Sequence, residues 1–431
     1  MKKVRIGVLG AYRGTSMINY CKRADHAEVV AICDKNPDAL AAQREAAAGM
    51  DITFYDHFDS FIEHDMDAVV LANYANEHAP FAIRCLKKGL HVFSEVLPVQ
   101  NMKEAVELVE TVEETGLVYA YGENYCYMPA SLEMKKLYAD GEIGEFEYGE
   151  GEYIHNCEDI WPSITYGDPT HWRNNSYATF YCTHSLGPIL HATGLRPVSV
   201  VGFEGTKNAR GLRTGRKCGQ FGIEMVTLEN GGIVKSIHGD LYKNSIWYTV
   251  YGSKGRMECG REDAMDGSIA KLYVNKDEYE GDYATGSLRS YFPDHGMGDR
   301  DEGFGHGGSD FYSMYYFIRK ILGDSDANSI DVYEALDMFL PGLFAYRSIL
   351  AGGVPMDIPN LRNREERARW RSDTACTDPN AAGDMLWPTM AAGTPDIDKE
   401  VYNYMAMLWE EECAKTEGTY RQAALKQGSR E

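Results

Sequence analysis

Short apolar runs alternate with longer stretches in which apolar positions recur every three or four residues. Val4-Arg5-Ile6-Gly7-Val8-Leu9 and Val29-Val30-Ala31-Ile32-Cys33 read as buried strands, and Thr53–Tyr55, Ala68–Leu71, His91–Ser94 and Val118–Gly122 continue the series. Helical spacing fills the intervals: from Thr15, over Pro37–Ala48, over Ala79–Lys88 with Gly89 after it, and over Met102–Thr115 with Gly116 after it. Short strands separated by helices predict a parallel doubly wound sheet, whose ligands sit beyond the carboxyl ends of its strands. The loops at residues 10–14, 73–78, 94–98 and 122–127 are therefore expected to meet at one cleft.

The pattern changes after Tyr121. A helix over Ala130–Tyr138 gives way to strand-like segments at Phe146–Ile154, Val198–Phe203, Phe221–Leu228, Ile233–His238 and Trp247–Tyr251, and Cys182 is also read in a strand. Glu229-Asn230-Gly231-Gly232 between two apolar runs is a hairpin signal. Helices return at Gly307–Leu322 and Asp331–Ala351, with Pro341 expected to kink the second. The expected fold class is α/β: a doubly wound parallel sheet over residues 1–122, then an α+β domain over 123–370 with a large, mostly antiparallel sheet and the helices of 307–351 packing back. Residues 371–431 read as an extension, irregular and then helical, expected to serve packing or a dimer contact.

The opening unit carries chemistry. A strand, the turn Gly10-Ala11-Tyr12-Arg13-Gly14, a helix and a second strand ending on Asp34 form the layout of a dinucleotide-binding βαβ unit. The turn brings backbone N–H groups to a pyrophosphate, the helix N-terminus favours its charge, and the acid accepts hydrogen bonds from the ribose. Tyr12 stands where the motif has its second glycine and Gly14 is displaced from the third, so a plain tight βα loop is the alternative. Arg13 can pair with the pyrophosphate. Asp34 would repel a 2′-phosphate, which favours NAD over NADP.

Charge and composition set outer bounds. A chain of 431 residues, 44% hydrophobic and 25% charged, reads as globular, and its formal charge of −22 argues against nucleic acid and anionic membrane surfaces. No apolar run is long enough to span a membrane, and a strand starting at Val4 leaves no room for a signal peptide, so a cytoplasmic location is expected. The ten cysteines lack C-x-x-C spacing and read as buried thiols in a reducing compartment. The histidines share no ligand spacing, so no metal is expected.

The βαβ unit, the Asn73…His78 loop, Glu95-Val96-Leu97-Pro98 and His306-Gly307-Gly308-Ser309-Asp310 together resemble the Gfo/Idh/MocA oxidoreductases over about residues 1–360. The resemblance implies an NAD(P)-binding Rossmann domain, a second domain with a large open sheet, sugar or inositol substrates and a homo-oligomer, dimer or tetramer. Two departures narrow it. Most members carry Glu-Lys-Pro after the fifth strand, with the lysine assisting proton transfer; here Val96 stands there, and valine does no acid–base work. The family's later Asp-x-x-x-His pair is also absent. Glu123-Asn124-Tyr125-Cys126-Tyr127, Tyr153-Ile154-His155 and Tyr181-Cys182-Thr183-His184-Ser185-Leu186-Gly187-Pro188 resemble instead the glycoside hydrolase family 109 branch, which uses NAD without net consumption.

That branch implies hydride transfer at a sugar carbon, C3 on this reading, then elimination, hydration and reduction, and it names Tyr153, His155, Tyr181 and His184 as the acid–base candidates, with His184 first. Histidine exchanges protons near neutrality unaided, whereas a tyrosine needs a cationic neighbour. Two bland readings compete: Tyr153 and His155 as packed or solvated strand residues, and Trp172-Arg173 as a surface pair rather than a sugar platform and hydroxyl contact. Tyr127 joins Trp172 and Arg173 as a candidate substrate contact. The cofactor candidates are Gly10, Arg13, Gly14, Asp34, Asn73, Asn76, His78, Glu95 and Asn124, with His78 alternatively a helix cap. Lys243-Asn244 is a weaker candidate for the pocket wall, and His238 reads as a strand residue. The reaction is expected to be redox-neutral glycoside cleavage. The alternatives are a sugar or glycoside 3-dehydrogenase releasing a keto-sugar, and a non-catalytic NAD or sugar sensor.

Overall fold

The computed structural model describes residues 3–206, 209–262, 268–280, 283–295, 298–301 and 303–415. The first strands follow the predicted series: β1 (Val4–Leu9), β2 (Ala27–Cys33), β3 (Thr53–Tyr55), β4 (Ala68–Leu71), β5 (His91–Ser94) and β6 (Tyr119–Tyr121). Between them run α1 (Thr15–Arg23), α2 (Pro37–Ala46), α3 (Phe58–Phe61), α4 (His78–Lys87) and α5 (Met102–Thr115). All neighbours pair in parallel, in the order β3-β2-β1-β4-β5-β6. Helices cover both faces, which is why β1 and β4 are nearly continuous apolar runs. Local chemistry sets the helix ends: the Asn36 side chain caps α2 through the amides of Asp38 and Ala39, and α5 ends on Gly116 at φ 64°.

The second half is built on a larger sheet. Its strands are β7 (Phe146–Ile154), β8 (Pro197–Glu204), β9 (Phe221–Leu228), β10 (Ile233–Gly239), β11 (Ser245–Gly252), β12 (Gly255–Cys259), β13 (Leu272–Glu280), β14 (Tyr283–Tyr291) and β15 (Met356–Asp357). They lie in the order β14-β13-β12-β11-β7-β10-β9-β8-β15, antiparallel except for the parallel pair of β7 and β10. The predicted hairpin joins β9 to β10. Of the helices, α6 (Pro129–Ala139) packs on β12, α8 (Thr183–Thr193) on β7, β10 and β11, and α11 (Val332–Leu350) on β8, β9 and β15, whereas α10 (Ser309–Ile321) packs on α1 and β5 of the first half, and α7 (Trp161–Thr165) and α9 (Ala209–Thr214) meet the helix over Lys399–Lys415.

One expectation is corrected here. Cys182 is not in a strand; it caps α8, and nearly every residue of that helix is buried. A short helix buried all round shows no amphipathic period, so its sequence cannot be told from a core strand. Pro341 lies in the interior of α11. α8 comes so close to β7 that a side chain at Gly151 would collide with the Ser185 carbonyl.

After residue 370 the chain is irregular with short helices, then helical over Lys399–Lys415; residues 416–431 of the expected extension lie outside those described. This segment packs back on the large-sheet side: Arg347 pairs with Asp373 at 2.7 Å, and the Tyr402 hydroxyl donates to the Gly215 carbonyl at 3.0 Å. Among the described residues no helix is long and apolar enough to cross a membrane.

Candidate active site

The strand order reverses between β1 and β4, so a crevice opens beyond their carboxyl ends. A cavity of about 620 Å³ occupies it and runs across to the large sheet. Gly10, at φ 96°, leaves β1 so close to β4 that a side chain would strike the Ala72 carbonyl. Gly14 caps α1 and lies behind the lining. Asp34 accepts from the Ala11 amide at 2.6 Å and the Asn36 amide at 2.8 Å; burial raises its pKa against those bonds. Asn73 and Asn124 line the cavity, each with a buried side-chain oxygen that has no partner among the described residues. A tight turn, a helix N-terminus, an acid ending β2 and unfilled amide oxygens at strand ends fit a dinucleotide.

Other cofactor candidates are engaged elsewhere. The Arg13 guanidinium lines the cavity but is clamped by two carboxylates, 2.8 Å from Glu95 and 2.8 Å from Asp310, the latter bidentate. Its charge is already matched by the protein, unlike the free pyrophosphate partner expected from the turn. Asp310 sits well below the ordinary carboxylate range, as Arg13 and His306 outweigh its burial. His78 is buried, with Nδ1 2.9 Å from the Leu97 carbonyl and Nε2 3.3 Å from the Asn73 carbonyl; it ties two cleft loops together and is not in the lining. Asn76 donates to Asp378 at 3.3 Å, also outside the lining. Tyr127 is buried away from the cavity, where its hydroxyl accepts from the Ile330 amide and its ring stacks on Tyr316.

The candidate acid–base residues converge. His184, in the first turn of α8, has Nδ1 2.6 Å from Oε1 of Glu123, which follows β6; both side chains are buried. The network assigns Nδ1 as the donor to the carboxylate, which leaves Nε2 for a substrate. The rings of Tyr153 and Tyr181 lie 4.7 and 4.9 Å from the His184 ring. Pro188 helps fix that histidine. A proline in a helix lacks the N–H that would bond four residues back. The stranded carbonyl is that of His184, and the Tyr248 hydroxyl donates to it at 2.6 Å.

Around this pair, His155 Nδ1 is 3.4 Å from the Tyr153 hydroxyl and 3.2 Å from the Cys157 thiol. Burial holds Tyr153 well above the usual phenol range, so it is a neutral donor. Burial also raises Tyr181, opposed by Arg173. Arg173 stacks over Trp172 at 4.4 Å and stands 5.6 Å from the Tyr181 ring centre, and all three line the cavity. Val96 lines it too, at the end of β5, and its peptide bond to Leu97 is cis.

Sequence reasoning missed several members. Glu123 was visible only as a motif letter. His238, read as a strand residue, also borders the cavity, with Nδ1 3.6 Å from the buried Glu224; burial lowers the histidine to about 3 and raises the carboxyl to about 8. A histidine alternating with apolar neighbours on β10 was the available signal. Arg216 also lines the cavity, and nothing local in the sequence marked it. Lys243 and Asn244 are not in the lining; Asn244 accepts from the Asn156 amide at 2.8 Å.

Comparison with known proteins fits this geometry. Residues 4–123 match the model of an oxidoreductase family with an NAD-binding Rossmann fold, GFO_IDH_MocA. A "Glycosyl hydrolase family 109 protein" of Saccharopolyspora erythraea is 25% identical, over 86% of this chain and 84% of its own. One of Streptomyces coelicolor is 26% identical, over 88% of each. The crystal structure of myo-inositol 2-dehydrogenase from Lactobacillus plantarum shares the fold, with a TM-score of 0.64 and 18% identity, over 83% of this chain and all of that one.

Proposed function

We propose, for a chain that belongs to the Gfo/Idh/MocA oxidoreductases and is an NAD-dependent enzyme, that the substrate is a sugar or small glycoside and the net reaction redox-neutral cleavage of a glycosidic bond. One observation carries the reading. Val96 stands at the strand end where the family's lysine would be, and the candidate acid–base groups His184, Tyr153 and Tyr181 come instead from the opposite wall, with Glu123 after β6 holding His184. The relatives named as family 109 glycosyl hydrolases support cleavage, and the likeness to an inositol dehydrogenase supports a polyhydroxylated ring.

NAD, when bound, supplies a hydride acceptor and then a hydride donor at the sugar carbon, C3 on this reading. Asp34, Asn73 and Asn124 would hold it, with Gly10 leaving room for its approach. Nε2 of His184 takes the hydroxyl proton, and the Glu123 carboxylate stabilises the imidazolium across 2.6 Å. The proton from the neighbouring carbon passes to the Tyr153 oxygen as the Tyr153 hydroxyl proton moves to His155, 3.4 Å away. Tyr181, which burial keeps protonated although Arg173 opposes it, gives its proton to the departing glycosidic oxygen and recovers one from the water that adds in its place.

The test is stoichiometry. Purified protein with NAD+ is given a panel of nitrophenyl glycosides, and nitrophenol and NADH are followed together. Release of nitrophenol at constant total NADH is expected. One NADH per sugar consumed, with a keto-sugar released, overturns the cleavage reading in favour of a glycoside 3-dehydrogenase. Full physiological output after both His184→Ala and Tyr181→Phe favours a sensor.

A further inference from the structure

The end of the cavity remote from the dinucleotide cradle has a charge that runs against the rest of the molecule. The chain carries a formal −22, and the acids of the lining gather on the cofactor side, at Asp34, Asp56, Glu77 and Glu95. On the large-sheet side, two arginines, Arg173 and Arg216, face the cavity with a single carboxylate, Asp240. That carboxylate is already committed: Arg210 meets it at 2.9 Å and the Cys157 amide at 3.2 Å, while Arg216 is held off at 3.6 Å. The neighbouring Glu158 is taken in turn by Arg210 at 2.8 Å and by Arg213. Three guanidinium groups, of Arg210, Arg213 and Arg216, thus share two carboxylates across this corner, and a fourth, of Arg173, lies over Trp172. The two left without a carboxylate at hydrogen-bonding distance among the described residues are the two that line the cavity.

Both arginines are also set for recognition. Arg216 is largely buried, with Nε 2.9 Å from the Cys218 sulfur, its guanidinium carbon 5.5 Å from the centre of the Trp161 ring and Nη1 3.6 Å from Asp240. The Arg173 guanidinium carbon lies 4.4 Å over the centre of the Trp172 ring. Both act on the same thiol, Cys157, which burial raises to about 11 against the pull of the two charges. A preorganised guanidinium fork binds a carboxylate, sulfate or phosphate through paired hydrogen bonds and loses little entropy in doing so.

We infer that this end of the cleft is an anion subsite, and that the substrate is a sugar or glycoside bearing an anionic substituent, which Arg216 and Arg173 hold while the reacting ring carbons face His184. The assignment rests on the proposed reading of the site as a sugar site, and it adds the substituent's chemistry.

Binding and turnover are measured separately. NAD-loaded protein is titrated with glucose, glucuronate, glucose 6-sulfate and glucose 6-phosphate, using the fluorescence of Trp161 and Trp172, which line the cavity. At least one anionic sugar should bind about tenfold or more tightly than glucose, and that margin should shrink with added salt. The best arm tells whether the substituent is a carboxylate, a sulfate or a phosphate. Arg216→Gln should shift the ratio of anionic-sugar to glucose affinity toward one. Equal binding of glucose and all three anionic sugars by the wild type overturns the subsite, whatever the variant does. The matching nitrophenyl glycosides are then assayed. Anion-selective binding without turnover of any glycoside would refute the cleavage reading and keep the subsite. Turnover of neutral glycosides at least as good as that of the charged ones, with equal binding, would do the reverse.

Discussion

The hydrogen bond from Tyr248 to the backbone of His184 offers a sharp test of how the fold fixes its candidate base. Pro188 removes the N–H that would satisfy the His184 carbonyl, and its ring pushes that carbonyl away from the helix axis. The Tyr248 hydroxyl, 1% exposed and 2.6 Å away, is the replacement donor. Burial holds that phenol well above its usual range, so the donor stays protonated throughout the accessible pH range. Tyr248→Phe keeps the ring and strands a buried carbonyl, which should cost about 1–3 kcal/mol. In Pro188→Ala the helix regains its own donor, so the same tyrosine change should become nearly free. The coupling in the double-mutant cycle should therefore be about 1–2 kcal/mol. Urea unfolding followed by tryptophan fluorescence gives the four stabilities, with a shift in midpoint at constant slope expected for Tyr248→Phe. An equal cost of that substitution with proline or alanine at 188 would refute the account of α8.

Glu123→Gln should leave KM within about twofold and lower kcat by about 10²–10⁴, because the imidazole loses the carboxylate that fixes its tautomer and stabilises its charged form; steady-state kinetics with a loss in KM alone would remove Glu123 from the chemistry. Arg13→Gln leaves the carboxylates of Glu95 and Asp310 facing each other in the interior and should destabilise the protein by about 3–5 kcal/mol, read as a fall in Tm; a fall of under a degree would refute the clamp. Glu224 has a folded pKa of about 8 against an ordinary 4.5, so its protonated form contributes stability that is full below about 4.5 and is lost as pH rises through 8. Glu224→Gln should therefore gain Tm on the wild type steadily between pH 5 and 8, and a pH-independent difference would refute the burial of a neutral acid. His238, lowered by burial to about 3, acts at the other limb, its contribution present above about 6.5 and lost as pH falls toward 3, so His238→Asn should flatten the acid limb instead.

What the sequence disclosed and what it hid divide along physical lines. The β1–β6 core was legible because strands buried on both faces are runs of Val, Ile and Ala, and because residues such as Asn36 and Gly116 mark helix ends locally. α8 was hidden because a helix buried all round lacks a period. β13 and β14, at the sheet edge, carry mixed polar residues such as Asn275, Lys276 and Asp277, so they lack the alternation of a half-buried strand. At the site, Gly10 and Asp34 are recognisable from their spacing along one βαβ unit. The engagement of Arg13 is not, since Asp310 lies 297 residues away. His78 and Tyr127 were drawn into the site by motif position, but their hydrogen bonds to Leu97, Asn73 and Ile330 are those of packing residues. Arg216 was invisible for the opposite reason: its meaning depends on how few carboxylates surround it, and only the folded chain shows that count.

A valine at position 96, where the family resemblance implies a lysine, has a geometric consequence. A lysine after β5 would carry the proton-transferring group on the same sheet that holds the cofactor, so one rigid element would set both. With Val96 there, the candidate base belongs to α8, on the far side of the cleft. Cofactor and base then keep register only if the two walls are tied. The structure ties them at Glu123 and braces the cofactor wall at Arg13. Arg13, in the turn after β1, is clamped to Glu95 at the end of β5 and to Asp310 in the first turn of α10. Glu123, directly after β6, holds His184 at 2.6 Å. The carboxylate contacts that engage candidate site residues thus brace the cofactor wall and tie the candidate base to it. On this reading Arg13→Gln and Glu123→Gln differ in kind: the first loosens the frame and should raise KM for cofactor and sugar together, whereas the second leaves the frame standing and should be felt in kcat alone.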